Sequence, residues 1–149
     1  MDWNTLFTVA NTAVLLPWAA LILMPRGPKT HALIFYLGIG LLALTYSVGL
    51  ISLIAGQGGL GEGGFGSIAE VRQLFASDAG VTIGWIHYLA FDLFVGQWIA
   101  KDADHKMVSR YLQAPILFLT LLAGPLGLFV WMLVRERRAR AMAGIHSKG

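Results

Sequence analysis

GWIHYLAFDLFVGQWIAKDA, residues 84–103, is the stretch on which the fold turns. From Gly84 to Ala100 it is apolar enough to cross a bilayer, yet His87 and Asp92 stand in its middle. A central carboxylate costs about 2.5–3.5 kcal/mol on membrane insertion. Asp92 therefore requires a partner, a proton or a polar pocket, and each of these implies neighbouring helices.

The rest of the chain supplies them. Of its 149 residues 56% are hydrophobic and only 13% charged, which excludes an ordinary soluble globule and fits one membrane domain. There is no cysteine, so disulfide and thiolate chemistry are excluded. The net charge of +3 comes largely from one basic tail and reads as a membrane-topology signal, not as nucleic-acid binding. Four apolar runs, at about 5–24, 32–55, 81–100 and 115–134, approach the ~20 residues that span a bilayer. They are stopped in turn by PRGPK, a glycine tract, KDADHK and RERRAR. The fold class that follows is all-α: a polytopic domain over 1–134 with four transmembrane helices, then a basic tail over 135–149. No basic flank precedes the first run and no small-residue cleavage site follows it, so it reads as a retained helix.

Between the second and third runs lies GQGGLGEGGFG (56–66), too rich in glycine for regular structure. SIAEVRQLFAS follows, with Ser67 and Glu70 spaced as a capping box and Ile68, Val71, Leu74 and Phe75 on one face. This predicts a short amphipathic interfacial helix over about 67–77. Four spans would return both termini to one side, and the arginine cluster after the last run favours the cytoplasm for that side.

Polar groups within the spans are the candidate functional residues. Asn4, Thr8, Asn11 and Trp18 share a face of the first helix, and Thr45, Tyr46 and Ser47 lie in the second. Interhelical hydrogen bonding and close packing account for both sets. Thr120, Gly124, Gly127 and Trp131 form a stripe in the last run, where Pro125 predicts a kink. In the third helix Trp85, Tyr88 and Asp92 share one face, and His87, Phe91, Phe94 and Trp98 another. Five residues apart, His87 and Asp92 point about 140° from each other and cannot pair along the helix. A low-dielectric interior favours an uncharged carboxylic acid and an uncharged imidazole, one able to donate a proton and the other to accept it. The structural alternative is a protonated Asp92 bonded to Tyr or Asn across an interface. Asp102, Asp104 and His105 in KDADHK read as a solvated loop instead of a metal site. His31, His87 and His105 offer no matched pair for haem, and the glycine tract is no P-loop. Neither metal nor cofactor is expected.

These same residues carry a resemblance. GWIHYLAFDLFVGQWIAKDA resembles the signature of the abscisic-acid-deficient-four-like family of small four-helix membrane proteins. APILFLTLLAGPLGLFVWMLVR (114–135) resembles that family's final helix. Carried over by position, His87, Asp92, Phe94, Gly96 and Asp102 match the signature helix, and Pro115, Gly124, Pro125 and Gly127 the last one. The resemblance implies a role in xanthophyll metabolism, where plant members are needed to make neoxanthin from violaxanthin. That isomerisation opens an epoxide and creates an allene. No plastid-type leader is seen here, so the expected location is a bacterial inner membrane; bacteria generally lack violaxanthin, and the exact substrate stays open.

Such an isomerisation needs no redox partner, only an acid at the departing oxygen and a base for a vinylic proton. On this reading Asp92 is the acid and His87 the base. Trp85, Tyr88, Phe91, Phe94, Trp98 and Trp131, with Asn11 and Tyr46, would line a lipid-accessible groove for a polyene. Two other readings stand beside it. One is a non-catalytic carotenoid- or lipid-binding subunit, and the other a proton-linked channel or transporter, which at this size would need to form a homo-oligomer.

Overall fold

A computed structural model describes residues 2–56 and 63–146. Most of the glycine tract and Lys148 lie outside the described residues. All regular structure among the described residues is helical, and three helical stretches are long and apolar enough to cross a membrane: Trp3–Leu23, Pro28–Ala55 and Asp78–His105.

The first stretch is two helices, α1 (Trp3–Ala13) and α2 (Leu15–Leu23), joined at Val14. Pro17 explains the joint, because it has no N–H to give to the Ala13 carbonyl. Asp2 caps α1, accepting from the Asn4 N–H at 3.1 Å and from the Thr5 hydroxyl. The second stretch runs through α3 (Pro28–Leu33), a π-helical segment (Ile34–Gly40) and α4 (Leu41–Ala55). At the centre of the π segment Gly38 is pressed between two neighbours. A Cβ there would lie 3.0 Å from Pro17 and 3.1 Å from Leu93. After the glycine link comes α5 (Ile68–Leu74), whose capping box forms as the sequence predicts. Ser67 Oγ accepts from the Glu70 N–H at 3.2 Å, and the Glu70 carboxylate accepts from the Gly66 N–H at 3.0 Å.

The third stretch, α6 (Asp78–His105), is the axis of the bundle. It buries a broad arc of its surface, from Ile83 and Ile86 through Leu93 and Gly96 to Ala103, and leaves exposed the side that carries His87, Phe91, Phe94 and Trp98. At 28 residues it is about 42 Å long, so its ends pass beyond a ~30 Å hydrocarbon core. KDADH belongs to this helix and is not the solvated loop expected of it.

Residues 115–134 do not form a single span. Helix α7 (Arg110–Leu122) ends at Ala123, and α8 (Gly124–His146) starts at once in a new direction. The chain folds back so tightly that a Cβ on Gly127 would overlap the backbone of Thr120. Three contacts along α6 fix the path. Gln113, near the start of α7, donates to Asp104 at 3.0 Å. Gly124, at the turn, lies against Asp92. Further on, Trp131 and Arg135 donate to Asp102 at 3.2 and 2.7 Å. Helices α7 and α8 therefore enter from the Lys101 end, turn at the depth of Asp92 and return to the end they came from. With 13 residues α7 is about 20 Å long, too short to cross.

This re-entrant hairpin changes the topology expected from four spans. The Thr82 hydroxyl donates to the Trp3 carbonyl at 3.5 Å, which puts the N-terminus at the start of α6. Arg135 stands beside Asp102 at the other end of the same helix. Trp3 and Arg135 lie at opposite ends of the bundle, which does not support the expectation that both termini are cytoplasmic. Charge divides along the same axis. Among the described residues Arg72 is the one Lys or Arg at the N-terminal end. Arg26, Lys29, Lys101, Lys106, Arg110 and the arginines from Arg135 onward belong to the other.

Candidate functional site

His87 and Asp92 emerge on different sides of α6. His87 faces α4, its ring 5.3 Å from that of Tyr46 and 4.6 Å from that of Phe91. It lines an apolar groove of about 370 Å³ with Tyr46, Leu53 and Ile54 on one wall and Ile83 and Gly84 on another. Phe65, Leu74 and Phe75, from the segment around α5, close the groove towards the N-terminal end of α6. Phe75 packs on Gly84 so closely that a Cβ at 84 would overlap its ring. Among the described residues His87 makes no hydrogen bond to protein, which leaves its ring nitrogens to whatever enters the groove.

Asp92 faces the hairpin. It is buried, and the polar groups that approach it are the Tyr88 side chain and the Gly124 backbone. Its Oδ2 has no hydrogen-bond partner in the protein. The α8 terminus is suited to this neighbour. Leu126 and Gly127 give their N–H groups to the Ala123 carbonyl, and Pro125 has none, so Gly124 carries the donor nearest the carboxyl group. A Cβ at 124 would collide with that carboxyl group, and so only glycine fits.

A family model described as ABA DEFICIENT 4-like matches residues 5–131. The chain belongs to the ABA4-like family. Membership points to a membrane protein of carotenoid metabolism. No curated protein and no solved structure gives a match.

Several of the family's motif residues serve packing. Gly96 receives the Trp18 ring, which a Cβ at 96 would overlap. Asp102 holds Trp131, Arg135 and Lys106, the last at 3.6 Å. Gly124 and Gly127 let the hairpin turn against Asp92 and Thr120, Pro125 begins α8, and Pro115 stands within α7. Gly96 thus seats α2 on α6, and the others shape the hairpin and its seat on α6. Trp131, expected in the groove wall, is wholly buried in that seat.

The remaining aromatics surround α6. Trp85 stacks on Tyr88 at 5.4 Å and donates to Asn11 Oδ1 at 3.0 Å, so that Asn11 and Trp85 tie α1 to α6. Phe91, Phe94 and Trp98 are exposed in a row below His87. Several hydroxyls of the apolar helices bond within their own helices. Thr8, Thr45, Ser47 and Thr120 each donate to the carbonyl four residues back, at 2.8–2.9 Å. Sequence reasoning missed Phe65 and Phe75 as groove walls, since only the fold brings the α5 segment over α6.

Proposed function

We propose that the chain binds an oxygenated polyene of the carotenoid class in the His87 groove and isomerises it there. The observation that carries this reading is an imidazole without a protein hydrogen bond, set beside Tyr46 in an apolar groove open to the lipid. A carotenoid end ring suits a groove of about 370 Å³, and its polyene tail would run out along the exposed Phe91, Phe94 and Trp98. The α5 segment would rest at the membrane surface as a cover over the ring.

We assign one of the two chemical roles to a different residue. Asp92 and His87 address different sides of α6, so Asp92 is poorly placed to act on a group that His87 touches. Tyr46 is better placed. In an epoxide-to-allene isomerisation the Tyr46 hydroxyl donates its proton to the oxygen as the epoxide C–O bond breaks. His87 takes the vinylic proton, whose C–H electrons form the second double bond of the allene. Proton transfer from the imidazolium to the phenolate then restores both groups, and product and substrate have the same composition. Asp92 serves on this account to receive the hairpin turn.

Expression in a host that makes epoxy-carotenoids, with separation of the pigment isomers, tests the proposal. The protein should convert pigment without an added cofactor, and His87→Ala should lower conversion by about 10²-fold or more. Full conversion by a folded His87→Ala protein would sink it. A non-catalytic carotenoid binder is the second reading, favoured by the stacking of His87 between Tyr46 and Phe91 as a fixed wall. It predicts pigment that co-purifies unchanged.

A further inference from the structure

A cavity of about 590 Å³ lies at the opposite end of the molecule, between the Arg26 turn, α3 and the last turn of α6. Arg26, His31, Lys101, Asp104 and His105 line it. Arg26 is the unusual member. Its side chain is only 3% exposed, yet Nε and Nη1 have no hydrogen-bond partner. Asp104 pairs with it as an ion but gives neither nitrogen a hydrogen bond. That carboxylate stands 3.5 Å from Nη1, is 38% exposed and accepts from Gln113 through its other oxygen. His31 Nδ1 is likewise buried without a partner. Burial pushes the Arg26 guanidinium below its ordinary pKa, with Asp104 opposing and Arg110 adding to the effect. With Arg110 and Lys101 near, one partly exposed carboxylate leaves this end with an excess of positive charge and open buried donors, which an anion would satisfy.

We propose that this cavity binds a phosphate group, carried by an anionic phospholipid or free in solution. Arg26 and His31 would donate to its oxygens from inside, and Lys101 would add charge at the mouth. Phe35 and Tyr36, both exposed, continue the cavity as an apolar track along the helix, which suits an acyl chain. The end of the molecule is right for such a lipid. It carries nearly all the cationic side chains, which assigns it to the cytoplasmic leaflet, and basic pockets there attract anionic headgroups. The site is separate from the His87 groove and does not depend on the polyene reading.

Thermal unfolding of the full chain in neutral detergent, followed by tryptophan fluorescence, tests it. The probes are phosphatidylglycerol, phosphatidylcholine and inorganic phosphate. Phosphatidylglycerol should raise the midpoint saturably and phosphatidylcholine should not. Arg26→Gln and Lys101→Gln should each weaken the apparent affinity about tenfold, whereas Lys29→Gln, a nearby exposed cation outside the cavity, should match the parent protein. If inorganic phosphate alone gives the same variant-sensitive shift, the site stands and free phosphate is its ligand. Should Arg26→Gln fail to fold, Lys101→Gln decides, because that side chain is exposed. A shift equal in Lys101→Gln and the parent, or no shift with either anion, overturns the proposal.

Discussion

Arg135 donates to Asp102 at 2.7 Å across 33 residues of sequence, and Trp131 donates to the same carboxylate oxygen at 3.2 Å. One acidic side chain near the end of α6 thus holds both the returning helix and the tryptophan beneath it. An apolar segment that crossed the membrane could not bring Arg135 back to this level.

Removing Asp102 should therefore loosen the hairpin without emptying the groove. Asp102→Ala leaves the buried Trp131 N–H without an acceptor, and the expected loss is about 1–3 kcal/mol. Unfolding in detergent should show a lowered midpoint. Pigment retained at a temperature where the protein is still folded should be unchanged.

The turn makes a second, sharper prediction. Gly124→Ala places a methyl group where the Asp92 carboxyl group is, and overpacking of this kind costs about 1–3 kcal/mol. Asp92→Ala removes the obstacle. The two changes should be strongly non-additive, with Gly124→Ala far less harmful in the Asp92→Ala background. Additive losses in a stability cycle would show that the two residues are not in contact.

Topology can be read directly, because the chain contains no cysteine to interfere. In sealed cells a membrane-impermeant maleimide should label Ser67→Cys from the face opposite to Ser109→Cys. Arg138→Cys should behave as Ser109→Cys does. Labelling of Arg138→Cys from the Ser67 face would mean that the last segment crosses after all.

The sequence makes the three long helices legible, because an apolar run of span length has few other uses. Expected boundaries at 5–24, 32–55 and 81–100 become Trp3–Leu23, Pro28–Ala55 and Asp78–His105. The capping box at Ser67 was equally plain, being local chemistry. The hairpin was hidden, since twenty apolar residues from Pro115 to Val134 look the same whether they cross or turn back. Gly124, Pro125 and Gly127 did mark the place, but as a kink they carry no direction. What decides it is the pairing with Asp92 and Asp102, which no spacing reveals. His87 and Asp92 stood out correctly as polar groups within a span. Their separation about α6 was also legible, yet which neighbour each would meet depended on the hairpin.

The central claim is that the His87 groove holds a polyene, and filling the groove tests it most directly. Ile54 lines the groove and is 59% exposed, so Ile54→Trp should fill space without disturbing the core. Both proteins would be purified in mild detergent from a carotenoid-producing host, and bound pigment measured by absorption and mass. The account predicts structured polyene bands at a stoichiometric level in the parent protein and their loss in folded Ile54→Trp. Equal pigment in the two, or none in the parent protein, would contradict it.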